Sequence, residues 1–129
     1  RHHFSSELQR MSVVARVEGG DEDVAAGRVL VLAKGSPEAI ATLLRDMPAG
    51  YHRAYRALAR EGARVLALAY RPLEANAASS AGVREAPRAE HESSLLFAGF
   101  AVFGCPMKAA SAPTLREIGA GGHRLLMIT

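Results

Sequence analysis

Residues 29–40, VLVLAKGSPEAI, decide how the rest of the chain is read. Val29 to Ala33 form the kind of short apolar run that fills a buried strand, and Gly35 is suited to a turn. Ser36 and Pro37 supply a helix N-cap and a first helical position, where the missing proline N–H has no helical partner to lose. The stretch therefore reads as strand, tight turn, helix. Such a junction sets backbone N–H groups beside the Lys34 ammonium, which suits an anion, and it suits a plain connection equally well. It is not a Walker loop, because the lysine precedes the glycine. A capped helix start, with Glu38 complementing the helix dipole, is the commoner outcome of such a pattern.

Upstream, Met11 to Glu18 alternate well enough for a strand, GGDEDVAAG (residues 19–27) is a polar turn, and RVLVLA returns, giving a hairpin. Downstream, MPAG breaks the first helix, and YHRAYRALAREG spaces Tyr51, Tyr55, Leu58 and Ala59 as a second helix ending at Gly62. ARVLALAYRPL is a further strand stopped by Pro72. At Glu74 the composition turns polar, alanine-rich and serine-rich, marking a solvated loop or weak helix between two units. Beyond it, LLFAGFAVFG reads as a strand, PTLREIGAGG as a helix and HRLLMI as a strand, the order of a βαβ unit with a parallel pair.

The 129 residues suit one domain with one main core. Hydrophobic residues make up 49% and aromatics only 5%, which points away from disorder and from a broad aromatic platform. The net charge is +3, but the basic residues are scattered rather than gathered in a stripe, so nucleic acid is not an expected partner. The single Cys105 has no internal disulfide partner and fits a reducing compartment. No apolar run approaches the ~20 residues that span a bilayer, and the start RHHF lacks a signal-peptide centre. Both ends are expected to be cuts through a longer chain.

Several side chains invite a chemical reading. Arg64 stands at the mouth of the VLALAY strand, where a guanidinium can reach a phosphate, although a solvated arginine is commoner. Phe4, flanked by His2, His3 and Ser5, is able either to stack on a base or to close the core, and spacing alone favours the core. Thr129 ends an apolar strand, the place where ligands collect in open α/β sheets, although threonine is also simply a good strand former. The five histidines show no spacing of a closed zinc site, and nothing in the sequence pairs a base with Cys105. No metal is expected on these residues.

Taken in order, these stretches resemble the nucleotide-binding region of a P-type ATPase. FSSELQRMSVV (residues 4–14), KGSPE (34–38), EGARVLALAY (61–70) and LLMIT (125–129) each look like an ordered motif of that family. REGARVLALAY, FAGFAVFGCPMKA and GGHRLLMIT narrow the resemblance to the type V branch, subgroup A, of endoplasmic reticulum membranes. There Cys105, Pro106 and Lys108 stand where ion-pumping branches carry Asp-Pro-x-Arg.

The resemblance implies an α/β fold: an antiparallel sheet with flanking helices forming part of a nucleotide-binding domain, followed by the start of a Rossmann-like phosphorylation domain. The first unit is expected over residues 1–93, with 74–93 as loop or linker, and the second over 94–129. It implies that Phe4 stacks on adenine, Lys34 and Gly35 line the adenine pocket, and Arg64 reaches the ATP phosphates. Thr129 matches a phosphate-contacting threonine, and Cys105, Pro106 and Lys108 match the hinge side of the phosphorylation domain. Where Ser6 and Gln9 stand, many relatives are basic, so the phosphate side is expected to be less positive, with Arg10 nearby in sequence.

The parent chain is then an enzyme that passes the γ-phosphoryl group of ATP, with Mg2+, to an aspartate and couples hydrolysis to transport or helix removal at the endoplasmic reticulum membrane. That aspartate and the magnesium ligands fall outside these residues, so the segment alone is expected to bind ATP without hydrolysing it. Its partners are ATP and the remaining domains and membrane helices of the parent, and it sits on the cytosolic face. A non-catalytic nucleotide-sensing or adaptor domain of the same fold is the alternative, with a phosphatase of the haloacid dehalogenase type behind it.

Overall fold

The computed structural model describes residues 1–17, 28–73 and 85–128. The expected turn at 19–27, the first part of the expected linker and Thr129 lie outside them. Five strands, β1 (His2–Ser5), β2 (Arg10–Arg16), β3 (Val29–Gly35), β4 (Arg64–Leu73) and β5 (Leu96–Phe103), form one sheet in sequential order. Every neighbouring pair is antiparallel. Helices α1 (Pro37–Ala41), α2 (Tyr51–Arg60), α3 (Arg88–His91) and α4 (Ser111–Ala120) complete the α/β chain.

The two faces of the sheet differ. Val31, Ala33, Ala67 and Ala69 are buried and form one core with Ile40 of α1 and Tyr51 and Tyr55 of α2. Burying the Val31 and Ile40 side chains contributes roughly 1.5–3 kcal/mol each. Small alanines on the strands let the tyrosines approach, and the Tyr51 hydroxyl donates to the Pro37 carbonyl at 2.8 Å, satisfying the buried phenol. Burial, followed by Tyr55 and Glu38, pushes the Tyr51 hydroxyl up to about 12. The alternate residues point the other way: Leu32 pairs with Val13 and Tyr70, Lys34 with Met11 and Leu68, and Leu32 is 39% exposed. That second face carries no helix in the core cluster. As the sequence predicts, Ser36 caps α1, accepting from the Ala39 N–H at 3.2 Å, and α2 ends where Gly62 takes a φ of 82°.

Two expectations are corrected. Residues 94–129 do not open a parallel βαβ unit among the described residues: β5 runs antiparallel to β4, and Phe97 and Phe100 stack against Tyr51 with ring centroids 5.0 and 4.9 Å away. Residues on both sides of position 93 contribute to this one core, Tyr51 before it and the fully buried Leu95 after it, and α3 forms within the expected loop or linker. Residues 123–128 have an apolar strand pattern but no strand pairs with them here, and Ile128 is 94% exposed. A strand needs a partner ladder, which hydrophobicity alone does not provide.

Candidate nucleotide cleft

The cleft is built by two irregularities. In β1, His2 pairs with Ser12 while Ser5 pairs with Arg10, so three steps on one strand match two on the other. The extra residue breaks the alternation of faces. His2 turns toward α3, and Phe4 turns to the open face, where it is 62% exposed and lines a cleft. This overturns the packing role that spacing favours for Phe4.

The second irregularity is the turn between β1 and β2. The Gln9 N–H donates to the Ser5 carbonyl at 2.7 Å, and Gln9 adopts a φ of 50°, unusual for a residue with a side chain. Its carbonyl accepts the Ser36 N–H at 3.0 Å, and its side-chain oxygen accepts the Ser36 hydroxyl at 3.1 Å. A Cβ at position 35 would lie 2.6 Å from the Gln9 carbonyl oxygen and 2.7 Å from Arg10 Cβ. Gly35 is thus the last residue of β3 rather than a turn residue, and it is glycine because another turn presses on it. At this junction the Ser36, Ala39 and Ile40 amides are bonded within the protein, and proline has none to offer.

Phe4, Lys34, Gly35 and Arg64 line one cleft of about 500 Å³, floored by Met11 and Leu66. Lys34 and Arg64 supply two cations, and no carboxylate belongs to the lining. A hard cation such as magnesium asks for oxygen ligands, so the residues of this cleft do not fit a magnesium site. Gln9 and Ser36 also line it and escape sequence reasoning as a pair, because their contact depends on the Gln9 backbone. An apolar cavity of about 390 Å³ adjoins, sharing Met11 and Lys34 and bounded by Val13, Leu32 and Tyr70.

Arg10, expected on the phosphate side, does not serve the cleft. Its Nε donates to Glu92 at 2.6 Å on the covered face, where Glu92 also accepts from Ser12 Oγ and from Arg88 Nε, both at 2.8 Å. Burial pushes the Glu92 carboxyl up, but the hydrogen bonds from Arg88, Arg10 and Ser12 outweigh it and hold the group below the usual carboxylate range. The spacing of Arg88 and Glu92, one helical turn apart, is the signal in the sequence from which part of this network is readable. Cys105, Pro106 and Lys108 lie outside the cleft lining, in an exposed stretch between β5 and α4. Among the described residues no group of three or more His, Cys, Asp or Glu is placed to hold a metal, and no helix is long and apolar enough to cross a membrane.

No protein-family model matches the chain. Comparison with curated proteins does find relatives along essentially its whole length. A probable manganese-transporting ATPase of Arabidopsis thaliana is 45% identical over 129 residues, all of this chain and 10% of the relative. The endoplasmic reticulum transmembrane helix translocase of Schizosaccharomyces pombe is 40% identical over 128 residues, 98% of this chain and 10% of the relative. A probable cation-transporting ATPase 13A4 of Gallus gallus is 35% identical over 128 residues, again 98% and 10%. The chain spans about a tenth of the length of these relatives, and with such identity sustained from end to end it belongs, as a segment, to the type V P-type ATPases.

Proposed function

We propose that the cleft holds ATP and that the chain is the nucleotide-binding part of a type V P-type ATPase of subgroup A, acting on the cytosolic face of the endoplasmic reticulum membrane. One observation carries the reading: Phe4, Lys34, Gly35 and Arg64, up to 60 positions apart in sequence, line a single cleft that contains two cations and no carboxylate. Phe4 offers a flat apolar face for the purine, worth roughly 1–3 kcal/mol for a stacked base. Lys34 supplies an ammonium beside it, and Gly35, lacking a side chain, lets the Gln9 turn close against the cleft wall. Arg64, at the start of β4, offers a charge-assisted contact to the phosphates worth roughly 1.5–3 kcal/mol.

These residues bind and orient; none is a phosphoryl acceptor or a magnesium ligand. The parent's aspartyl-phosphate chemistry, with Mg2+, is proposed to be supplied by its other domains, so this chain binds ATP without hydrolysing it. Since β5 belongs to the sheet, we place the change toward the phosphorylation domain after Phe103, with Cys105, Pro106 and Lys108 as its hinge and Thr129 as a phosphate contact beyond the described residues. The relatives' names divide between helix translocase and cation transport, and the parent's membrane substrate is one of these two classes.

Titration of the 129-residue chain with ATP, followed by NMR, tests the reading. Resonances of Phe4, Lys34 and Arg64 are expected to shift together, and Phe4→Ala and Arg64→Ala are each expected to weaken binding by about tenfold, the equivalent of about 1.4 kcal/mol. Saturating ATP that leaves all three residues unmoved rejects it.

A further inference from the structure

His2 and His91 are 89 positions apart in sequence, yet His2 Nε2 lies 2.9 Å from His91 Nδ1 and their ring centroids are 5.2 Å apart. His91, at the end of α3, is buried. A nitrogen-to-nitrogen bond of this length needs a lone pair on one ring and an N–H on the other. When both rings are fully protonated, two donors face each other and the bond is lost.

The surroundings offer a second proton little support. Arg88 of α3 and Glu92, the residue after that helix, face His2, Arg10 of β2 is held on the same Glu92, and from β4 Arg71 donates to the His91 carbonyl at 3.4 Å. Glu92 is the only carboxylate among them, and both its oxygens already accept from Arg10, Ser12 and Arg88. Burial, and then His91, disfavour a proton on His2; Glu92 opposes them and Arg88 adds to them.

What the pair holds is the start of β1. Arg88 adds one tie, donating to the His3 carbonyl at 3.2 Å. Two residues after His2, across the bulge, stands Phe4, on the opposite face and in the cleft. We propose that His91, acting through His2, is a positioning residue for Phe4, and that protonation of the pair releases the start of β1 and weakens purine binding in mildly acidic solution. The inference rests on the nucleotide reading of the cleft. Its sign follows from the geometry: the bonded arrangement is complete where the pair carries at most one shared proton and is lost as pH falls and a second proton is taken up. Releasing β1 lowers the fraction of molecules able to bind, and apparent affinity falls by that fraction.

The test is the dissociation constant for ATP of the whole chain and of the variants His91→Gln and His2→Gln, measured by NMR at about pH 7.5 and about pH 5.5. Titration of the nucleotide's own phosphates is common to all three proteins and cancels in their ratios. The wild-type chain is expected to lose about three- to tenfold more affinity than either variant on acidification, tenfold corresponding to a coupling of one pK unit. Its ATP-induced shift at the Phe4 ring should fade in parallel. Because His2 is only partly buried, His2→Gln supplies the comparison if His91→Gln fails to fold. Equal pH dependence in wild type and variants overturns the proposal, and so does a steeper wild-type profile with the Phe4 ring shift intact. Failure of ATP to move Phe4 at the higher pH would instead reject the nucleotide reading itself.

Discussion

At the scale of single residues, Gly35 shows how a role differs from the reason for it. That a glycine follows the lysine is plain in the sequence, and a turn is the natural explanation. The structure instead places it in a strand, with the Gln9 carbonyl oxygen 2.6 Å from where a Cβ would stand. The obstacle is backbone, which does not rotate away as the end of a flexible side chain does. Gly35→Ala is therefore expected to cost about 1–3 kcal/mol of stability, as overpacking does, and to displace Gln9 and Ser36 at the cleft wall. Urea unfolding, with the amide shifts of Gln9 and Ser36 as a local readout, measures both. An unchanged midpoint would mean that the two turns separate freely. Phe4 and Arg64 were legible as binding candidates from the resemblance, but the commitment of Arg10 to Glu92 was not, because it depends on α3 folding back over β2 from 82 positions away.

At the scale of elements, the hairpin of β2 and β3, both main helices and β4 were readable from apolar spacing, caps and breakers. The bulges were not, since period-two reasoning assumes an unbroken ladder. In β5, Leu68 pairs with Gly99 but Ala69 pairs with Phe97, leaving Ala98 as the additional residue. Phe97 and Phe100 are three positions apart and would alternate between faces in a regular strand. With the bulge, both reach the covered face and pack 4.9 Å apart, beside Tyr51. The device depends on Gly99, whose φ is 146°, a region nearly closed to other residues. No atom lies within 4 Å of an added Cβ there, so backbone strain is the only penalty. Gly99→Ala is expected to lower stability by about 1–3 kcal/mol without enlarging the core. Thermal unfolding, together with the ring-proton shifts of Phe97 and Phe100, checks this: lost stability with retained ring shifts is the expected result, and no loss argues against the bulge.

For the whole molecule, the division of labour lies between the two faces of the sheet. The covered face carries α1, α2, α3 and the Glu92 network, and the open face carries the cleft and its apolar neighbour. The run VLVLA cannot announce this division, because its residues are apolar on both sides and read as a strand buried on both. Adjacent positions in β3 separate the possibilities. Val31 is fully buried among Ala69, Ile40 and the tyrosines, so Val31→Asp removes a core side chain and buries a carboxylate, a cost that its cross-strand neighbour Arg71, held on the Glu90 carbonyl, offsets only in part, and the chain is expected to unfold. Leu32, one step along the strand, faces outward beside Tyr70, so Leu32→Asp should cost about 1–2 kcal/mol, from lost strand propensity and partial burial, and leave the chain folded. Its carboxylate would nevertheless stand on the same face as Lys34, two residues on, and lower the positive potential at the cleft. Leu32→Asp is therefore expected to fold, to retain ATP-induced shifts at Phe4, and to bind the anionic nucleotide more weakly at low salt, with the difference shrinking as salt is added. Circular dichroism and an ATP titration at two ionic strengths measure these outcomes. If Leu32→Asp unfolds as fully as Val31→Asp, the second face is part of the core and the cleft has no open sheet to lie on.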